Sequence, residues 1–95
     1  MENEKTLLSL LVEKYGYKRK WFRTFEKPLY NKSAVKQVIK FDLYEDKIDY
    51  CYIEYLEKII SKEDISNINL AFNRLTDDVS KIRKELQTNE SKWNN

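Results

Sequence analysis

The chain contains no histidine, one glycine and one cysteine among its 95 residues. Without histidine it lacks the usual general base at neutral pH and the commonest metal ligand. The single glycine, Gly16, cannot form a phosphate-binding loop or flank a nucleophilic serine, because both need several glycines. These absences predict a protein that is not an enzyme and that uses neither a cofactor nor a metal.

Pairs of neighbouring carboxylates are the remaining candidates for catalysis or metal binding. Acid pairs on charged helices and turns usually face solvent, so we expect no such role for them. The pairs are Asp77 with Asp78, Asp46 with Asp49, and Glu63 with Asp64.

The single cysteine, Cys51, excludes an internal disulfide. The sequence holds no run approaching the ~18 apolar residues of a membrane span. Its first residues are acidic and do not resemble a signal peptide. We therefore expect a cytoplasmic protein with no membrane contact. Its length suits a single domain, residues 1–95, with one modest core.

Helical periodicity occurs at both ends of the chain. Residues 3–15 carry apolar side chains one, three and four positions apart, and Gly16 stands where a helix ends in the left-handed conformation. Residues 64–87 carry a heptad-like seam. The stretch 56–66 is ambiguous, with Ser61 or Ser66 as candidate caps. The seam positions are Ile65, Ile68, Phe72, Leu75, Val79, Ile82 and Leu86.

Between the helices the period changes to two, which indicates strands. Residues 17–25 predict a first strand, 26–33 a loop containing Pro28, and 34–43 a second strand. A four-residue turn, 44–47, joins it to a third strand over 48–55, in which Ile48, Tyr50 and Tyr52 alternate. The predicted fold is therefore α+β: an N-terminal helix, a three-stranded antiparallel sheet and a long C-terminal helix in two layers.

A basic, aromatic segment runs through residues 14–27, where six basic residues accompany one acid. Basic residues neutralise phosphates and aromatic rings stack on unpaired bases, so this mixture suits a nucleic-acid groove. A half-buried strand with lysines on its outer side gives the same pattern. The candidate nucleic-acid-binding residues are Lys18, Arg19, Lys20, Trp21 and Arg23.

An acidic, tyrosine-rich segment follows in residues 42–64, with eight acids and three lysines. Tyrosine is enriched at the energetic centres of protein interfaces, and acids around it would steer a basic partner. Alternatively, the basic and acidic segments pair with each other inside the sheet. The candidate partner-binding residues are Glu45, Asp46, Asp49, Tyr50, Tyr52, Glu54 and Tyr55.

The layout resembles small accessory proteins of phages and mobile elements in low-GC Gram-positive bacteria. The resemblance lies in the helix ending Glu13-Lys14-Tyr15-Gly16-Tyr17, a hairpin from 39–43 to 48–52, and a C-terminal helix. Some of those proteins inhibit host defence, including anti-CRISPR proteins that occupy the nucleic-acid surface of a nuclease. The resemblance implies a similar role in the cytoplasm of a bacterial host cell, and no functional residue is carried over from it.

Three functions remain open at this point. The leading interpretation is a non-catalytic protein-binding module, an inhibitor or regulator of a larger, basic host protein such as a CRISPR nuclease. The alternative is a small nucleic-acid-binding domain that uses the basic strand 17–25. The third is a homodimer joined through the C-terminal helix.

Overall fold

The computed structural model describes residues 5–30, 33–56 and 61–93. Along the chain the elements are α1 (Leu7–Lys14), β1 (Lys18–Trp21), β2 (Thr24–Pro28), β3 (Val35–Phe41), β4 (Ile48–Tyr55) and α2 (Lys62–Trp93). The four strands form an antiparallel meander in the order β1-β2-β3-β4. The predicted α+β class, with an N-terminal helix, an antiparallel sheet and a long C-terminal helix, is therefore confirmed, and the prediction of three strands is wrong.

Helix α1 ends where the sequence predicts, but it begins at Leu7, later than the predicted residue 3. The Thr6 hydroxyl accepts a hydrogen bond from the Ser9 N–H at 3.1 Å, which caps the first turn. Gly16 adopts a φ of +95°, and its N–H donates to the Glu13 carbonyl at 3.0 Å. The predicted residues 3 and 4 lie outside the described residues.

The additional strand arises because residues 17–25 form a hairpin rather than one strand. Phe22 adopts a positive φ of +35°, so the chain reverses there without glycine or proline. β2 then continues to Pro28, which pairs with Lys36 of β3. The pairing of β1 with β2 ends at Glu26, two residues before Pro28. Pro28 has no backbone N–H, and none is needed there for the β1–β2 ladder.

The β3–β4 hairpin is confirmed, but its link covers residues 42–47. The Asp42 carboxylate accepts hydrogen bonds from the N–H groups of Asp46 and Lys47, at 3.0 and 3.3 Å. Desolvation acts to raise the pKa of Asp42, but these hydrogen bonds outweigh it and lower the pKa below its ordinary value. The register shifts near Asp49, so Ile48 pairs with Phe41 whereas Tyr50 pairs with Lys40. The predicted alternation of Ile48 with Tyr50 is therefore broken by a bulge.

Helix α2 is longer than predicted and is capped at Ser61. The Ser61 hydroxyl accepts from the Asp64 N–H at 3.1 Å, while the Asp64 carboxylate accepts from the Ser61 N–H at 2.9 Å. Asp64 therefore has a lowered pKa, through the Ser61 backbone first and then the Tyr55 hydroxyl. The sequence is compatible with either the end of a strand or the start of a helix over residues 56–66. Positions 57–60 of this stretch lie outside the described residues.

The core fills the space between both helices and one face of the sheet. Leu75, Val79 and Ile82 of α2 are buried against β3 and β4, which confirms a helix packed on its own sheet. Ile65 and Phe72, although predicted in the same seam, are 51% and 58% exposed. In a straight helix, positions seven residues apart drift around the helix axis, so a seven-residue repeat does not stay on one face. Ala71 is therefore buried in place of Phe72. No helix in the described part of the chain is both long and apolar enough to span a membrane.

Candidate protein-binding surfaces

The face of the sheet opposite the helices, here called the open face, is not covered by any described element. The register places Lys18, Glu26, Val38 and Tyr52 in one row across all four strands. Thr24, Lys40 and Tyr50 form the next row. The open face thus combines lysines, acids and aromatic rings on strands whose other side is the core.

A buried polar network on the helix side fixes α2 to the sheet. The Tyr17 hydroxyl donates to Asp78 at 2.8 Å, and Lys27 Nζ lies 2.8 Å from the same oxygen, Oδ2. Gln37 Nε2 donates to the Tyr17 hydroxyl at 2.8 Å. Burial, followed by the Asp78 carboxylate, raises the pKa of Tyr17 far above its ordinary value, so the phenol stays protonated.

The network also separates the two carboxylates of the neighbouring pair Asp77–Asp78. Asp78 points into the domain, whereas Asp77 faces solvent and pairs with Lys81 one turn further along α2, at 2.9 Å. Neighbouring residues on a helix lie about 100° apart around its axis, so the two carboxylates diverge. Within the described residues, no three side chains of histidine, cysteine, aspartate or glutamate are grouped as metal ligands.

The predicted acidic, tyrosine-rich set is divided among three places. Tyr50, Tyr52 and Glu54 lie on the open face, with the two tyrosine rings stacked at a centroid distance of 6.0 Å. Tyr55 pairs with Val35 and contributes to the helix side. Glu45, Asp46 and Asp49 lie in or beside the β3–β4 link.

The predicted basic set is also divided. Lys18, Lys20 and Trp21 lie on the open face, while Arg19 points to the helix side, where its guanidinium stacks on the Phe25 ring at 4.6 Å. Arg23 lies in the β1–β2 turn and donates to the Phe41 carbonyl at 3.4 Å.

Two ion pairs connect the basic and acidic sets. Arg19 Nη2 lies 2.9 Å from Glu45 Oε1, and Lys20 Nζ lies 3.6 Å from Glu54 Oε1. Pairing between the basic and acidic segments therefore accounts for the charges of Arg19, Lys20, Glu45 and Glu54. Such pairing does not account for the charges of Asp46 and Asp49, which are both exposed.

A further surface, which the sequence does not predict, lies where the ends of the β1–β2 and β3–β4 hairpins meet. The Phe41 N–H donates to the Arg23 carbonyl at 2.8 Å, which holds the β1–β2 turn beside the β3–β4 link. Four large side chains project there and form what we call the tip patch: Trp21, Phe22, Leu43 and Tyr44, which are 61%, 75%, 71% and 78% exposed.

The tip patch is shaped by two clefts that share Phe22 and Leu43. One, of about 300 Å³, is also lined by Trp21 and Lys40. The other is also lined by Arg19, Tyr44 and Glu45, among others. Contiguous exposed apolar side chains with a polar rim are typical of protein-interaction sites. Period-two alternation assigns Phe22 and Leu43 to strand faces, so the patch appears only once the turns are known.

Cys51 is a free thiol on β4, in a groove between that strand and α2. Partial burial raises its pKa, and the guanidinium of Arg83 partly offsets this. The thiol is therefore mainly protonated at neutral pH.

Comparison of the chain with protein-family models, with characterised proteins and with solved structures yields no match.

Proposed function

We propose that this protein is a non-catalytic protein-binding module and that the tip patch is the centre of its contact surface. The observation that carries the proposal is the exposure of Trp21, Phe22, Leu43 and Tyr44 at adjacent hairpin ends. Exposing so much apolar area to water is costly, and burying it against a partner recovers about 25 cal/mol per Å². Large aromatic side chains at the centre of an interface contribute most of its binding energy.

The rim of the patch favours a partner with basic groups next to an apolar surface. Glu45 forms an ion pair with Arg19, which holds its carboxylate at the rim and leaves it no unpaired charge for a partner. Asp46 is exposed, and its carboxylate has no ion pair with any described residue. A basic residue of the partner opposite Asp46 would add steering and specificity. The predicted basic partner thus remains part of the proposal, now centred on apolar contact.

The proposal predicts that a Phe22→Ser/Leu43→Ser double variant loses partner capture. Both side chains are more than two-thirds exposed, so their removal leaves the core intact. Two central contacts at about 2 kcal/mol each would weaken binding by roughly three orders of magnitude. The measurement is affinity capture from a host lysate, treated with nuclease, by wild-type and variant chains.

Leu10→Ser is the matched control, because Leu10 is 49% exposed on α1, outside the tip patch. It is expected to capture the same protein as the wild type. Equal capture by the double variant and the wild type would remove the tip patch from the proposal. The resemblance to phage accessory proteins is the reason to include a host nuclease of the CRISPR type among the purified partners tested.

A second candidate function, binding of single-stranded nucleic acid, is favoured by the composition of the open face. Trp21, Tyr50 and Tyr52 place three rings there, and Lys18 and Lys40 have no ion pair with the rest of the described chain. Rings that stack on bases beside lysines that neutralise phosphates are the usual elements of such a surface.

This candidate predicts oligonucleotide binding that falls steeply between about 50 and 200 mM salt. Lys18→Glu/Lys40→Glu would abolish it by reversing both free charges, whereas Lys81→Glu, on the solvent side of α2, would weaken it only slightly. Fluorescence anisotropy with a labelled single strand provides the measurement. An absence of binding at the lowest salt concentration would eliminate the candidate.

A further inference from the structure

The two edge strands of the sheet differ in how they are protected from pairing with another strand. β1 has four residues, three of them basic, and a register shift, all of which discourage strand addition. β4 has eight residues and contains no lysine, arginine or proline. Only the bulge at Asp49, near its start, interrupts it. β4 is therefore the edge that is open to a further strand.

The backbone groups of β4 that point outward follow from one hydrogen bond. Leu56 directly follows β4, and its N–H donates to the carbonyl of Ala34, the residue before β3, at 3.3 Å. Alternate residues of an antiparallel strand direct both backbone groups to the same side. Residues 54, 52 and 50 therefore bond toward β3, and Cys51 and Ile53 direct their N–H and C=O groups away from it. No described strand lies on that side.

We propose that a second copy of this chain occupies the outer edge of β4, in antiparallel orientation about a twofold axis at Tyr52. In this register Tyr52 lies opposite its own equivalent, and Cys51 lies opposite Ile53 of the second copy. Tyr50 lies opposite Glu54 of the second copy, within reach of a hydrogen bond between hydroxyl and carboxylate. From Tyr50 to Glu54 no like charges are opposed, so this stretch of strand is complementary to itself.

The position of α2 supports the same occupant. α2 packs on both β3 and β4. If β4 strands pair at about 4.8 Å, helices centred between β3 and β4 come to lie about 10 Å apart, which is a normal distance for packed helices. The groove beside Cys51 is lined by the small side chains of Thr76 and Ser80, which permit this approach, and by the longer side chains of Arg83, Lys84 and Gln87. Phe72, one turn before Thr76, is 58% exposed and gains an apolar contact there.

The first test is the oligomeric state of the full chain, measured by sedimentation velocity over a wide range of concentrations. The wild type is expected to form dimers. Tyr52→Lys places two ammonium groups opposite each other at the axis and is expected to raise the dimer dissociation constant at least about tenfold. Tyr44→Lys, the same change at the tip patch, is expected to leave the dimer unchanged.

The second test uses Cys51 as a reporter of register. In the proposed pairing the two Cys51 Cα atoms are about 8 Å apart, which is too far for a disulfide but suits a short bismaleimide. The reagent is expected to cross-link the wild type, and Cys51→Ser removes the cross-link. A monomer at all concentrations, a dimer that Tyr52→Lys leaves intact, or a dimer without the cross-link would each overturn the proposal. None of these results bears on the tip patch, which the capture experiment with Phe22→Ser/Leu43→Ser tests separately.

Discussion

Replacing Asp78 with alanine is expected to cost about 3 kcal/mol of unfolding free energy. Asp78 Oδ2 accepts from the Tyr17 hydroxyl and Lys27 Nζ, each at 2.8 Å, and from Gln37 Nε2 at 3.3 Å. The Tyr17 residue is only 1% exposed, so its hydroxyl would remain buried without its acceptor. Lys27 keeps some hydration, with 26% of its side chain exposed, so its share of the cost is smaller.

The neighbouring residue provides the control for this prediction. Asp77→Ala removes an exposed pair with Lys81 and is expected to cost no more than about 0.5 kcal/mol. Urea unfolding of both variants, followed by far-UV circular dichroism, gives the two free energies. Asp78→Asn keeps an acceptor oxygen and is expected to be intermediate. Equal destabilisation by the two alanine variants would mean that the buried network contributes nothing to stability.

The helices of this protein could be predicted from the sequence because their signals are local. The apolar stripe of α1 leads directly to Gly16, which ends the helix in the left-handed conformation. α2 combines a long apolar seam with a Ser61–Asp64 cap. Such patterns depend on neighbours three and four residues away, which the sequence displays directly.

The fourth strand could not be predicted, because the turn that creates it has no sequence signal. Phe22 adopts a positive φ that is unusual for a residue with a side chain. The pairing of β2 with both β1 and β3 stabilises this conformation, so its cause is tertiary. The bulge at Asp49 is similar: it moves Ile48 to the core side and leaves Tyr50 on the open face. A shift of one residue exchanges the faces of a strand, so strand periodicity fails at such points.

The candidate site was predictable in composition but not in arrangement. Charge counting identified both the Arg19 and the Glu45 regions, and the structure brings these two residues together in one ion pair. The hydrophobic side chains of the tip patch escape such counting, because an alternating pattern assigns Phe22 and Leu43 to strand faces rather than to turns. Their exposure follows from the positions of the turns, which tertiary pairing determines.

Alanine substitution is expected to destabilise the domain strongly at one phenylalanine of the hairpins and hardly at all at another. Phe41 is fully buried and stacks on Phe25 at a centroid distance of 4.7 Å, whereas Phe22 is 75% exposed. Phe41→Ala removes the buried ring and leaves a cavity, at an expected cost of about 4 kcal/mol. Phe22→Ala is expected to change the unfolding free energy by less than about 0.5 kcal/mol.

The same two variants separate the role in the fold from the role in binding. Phe22→Ala is expected to weaken capture of a protein partner about 30-fold, the effect of losing one central contact of about 2 kcal/mol. Phe41→Ala, measured where it is still folded, is expected to retain capture, because its ring does not reach the surface. Urea unfolding and titration of the captured partner measure the two effects. If Phe22→Ala destabilised the domain as much as Phe41→Ala, the Phe22 ring would be part of the fold, and its exposure would no longer argue for a partner.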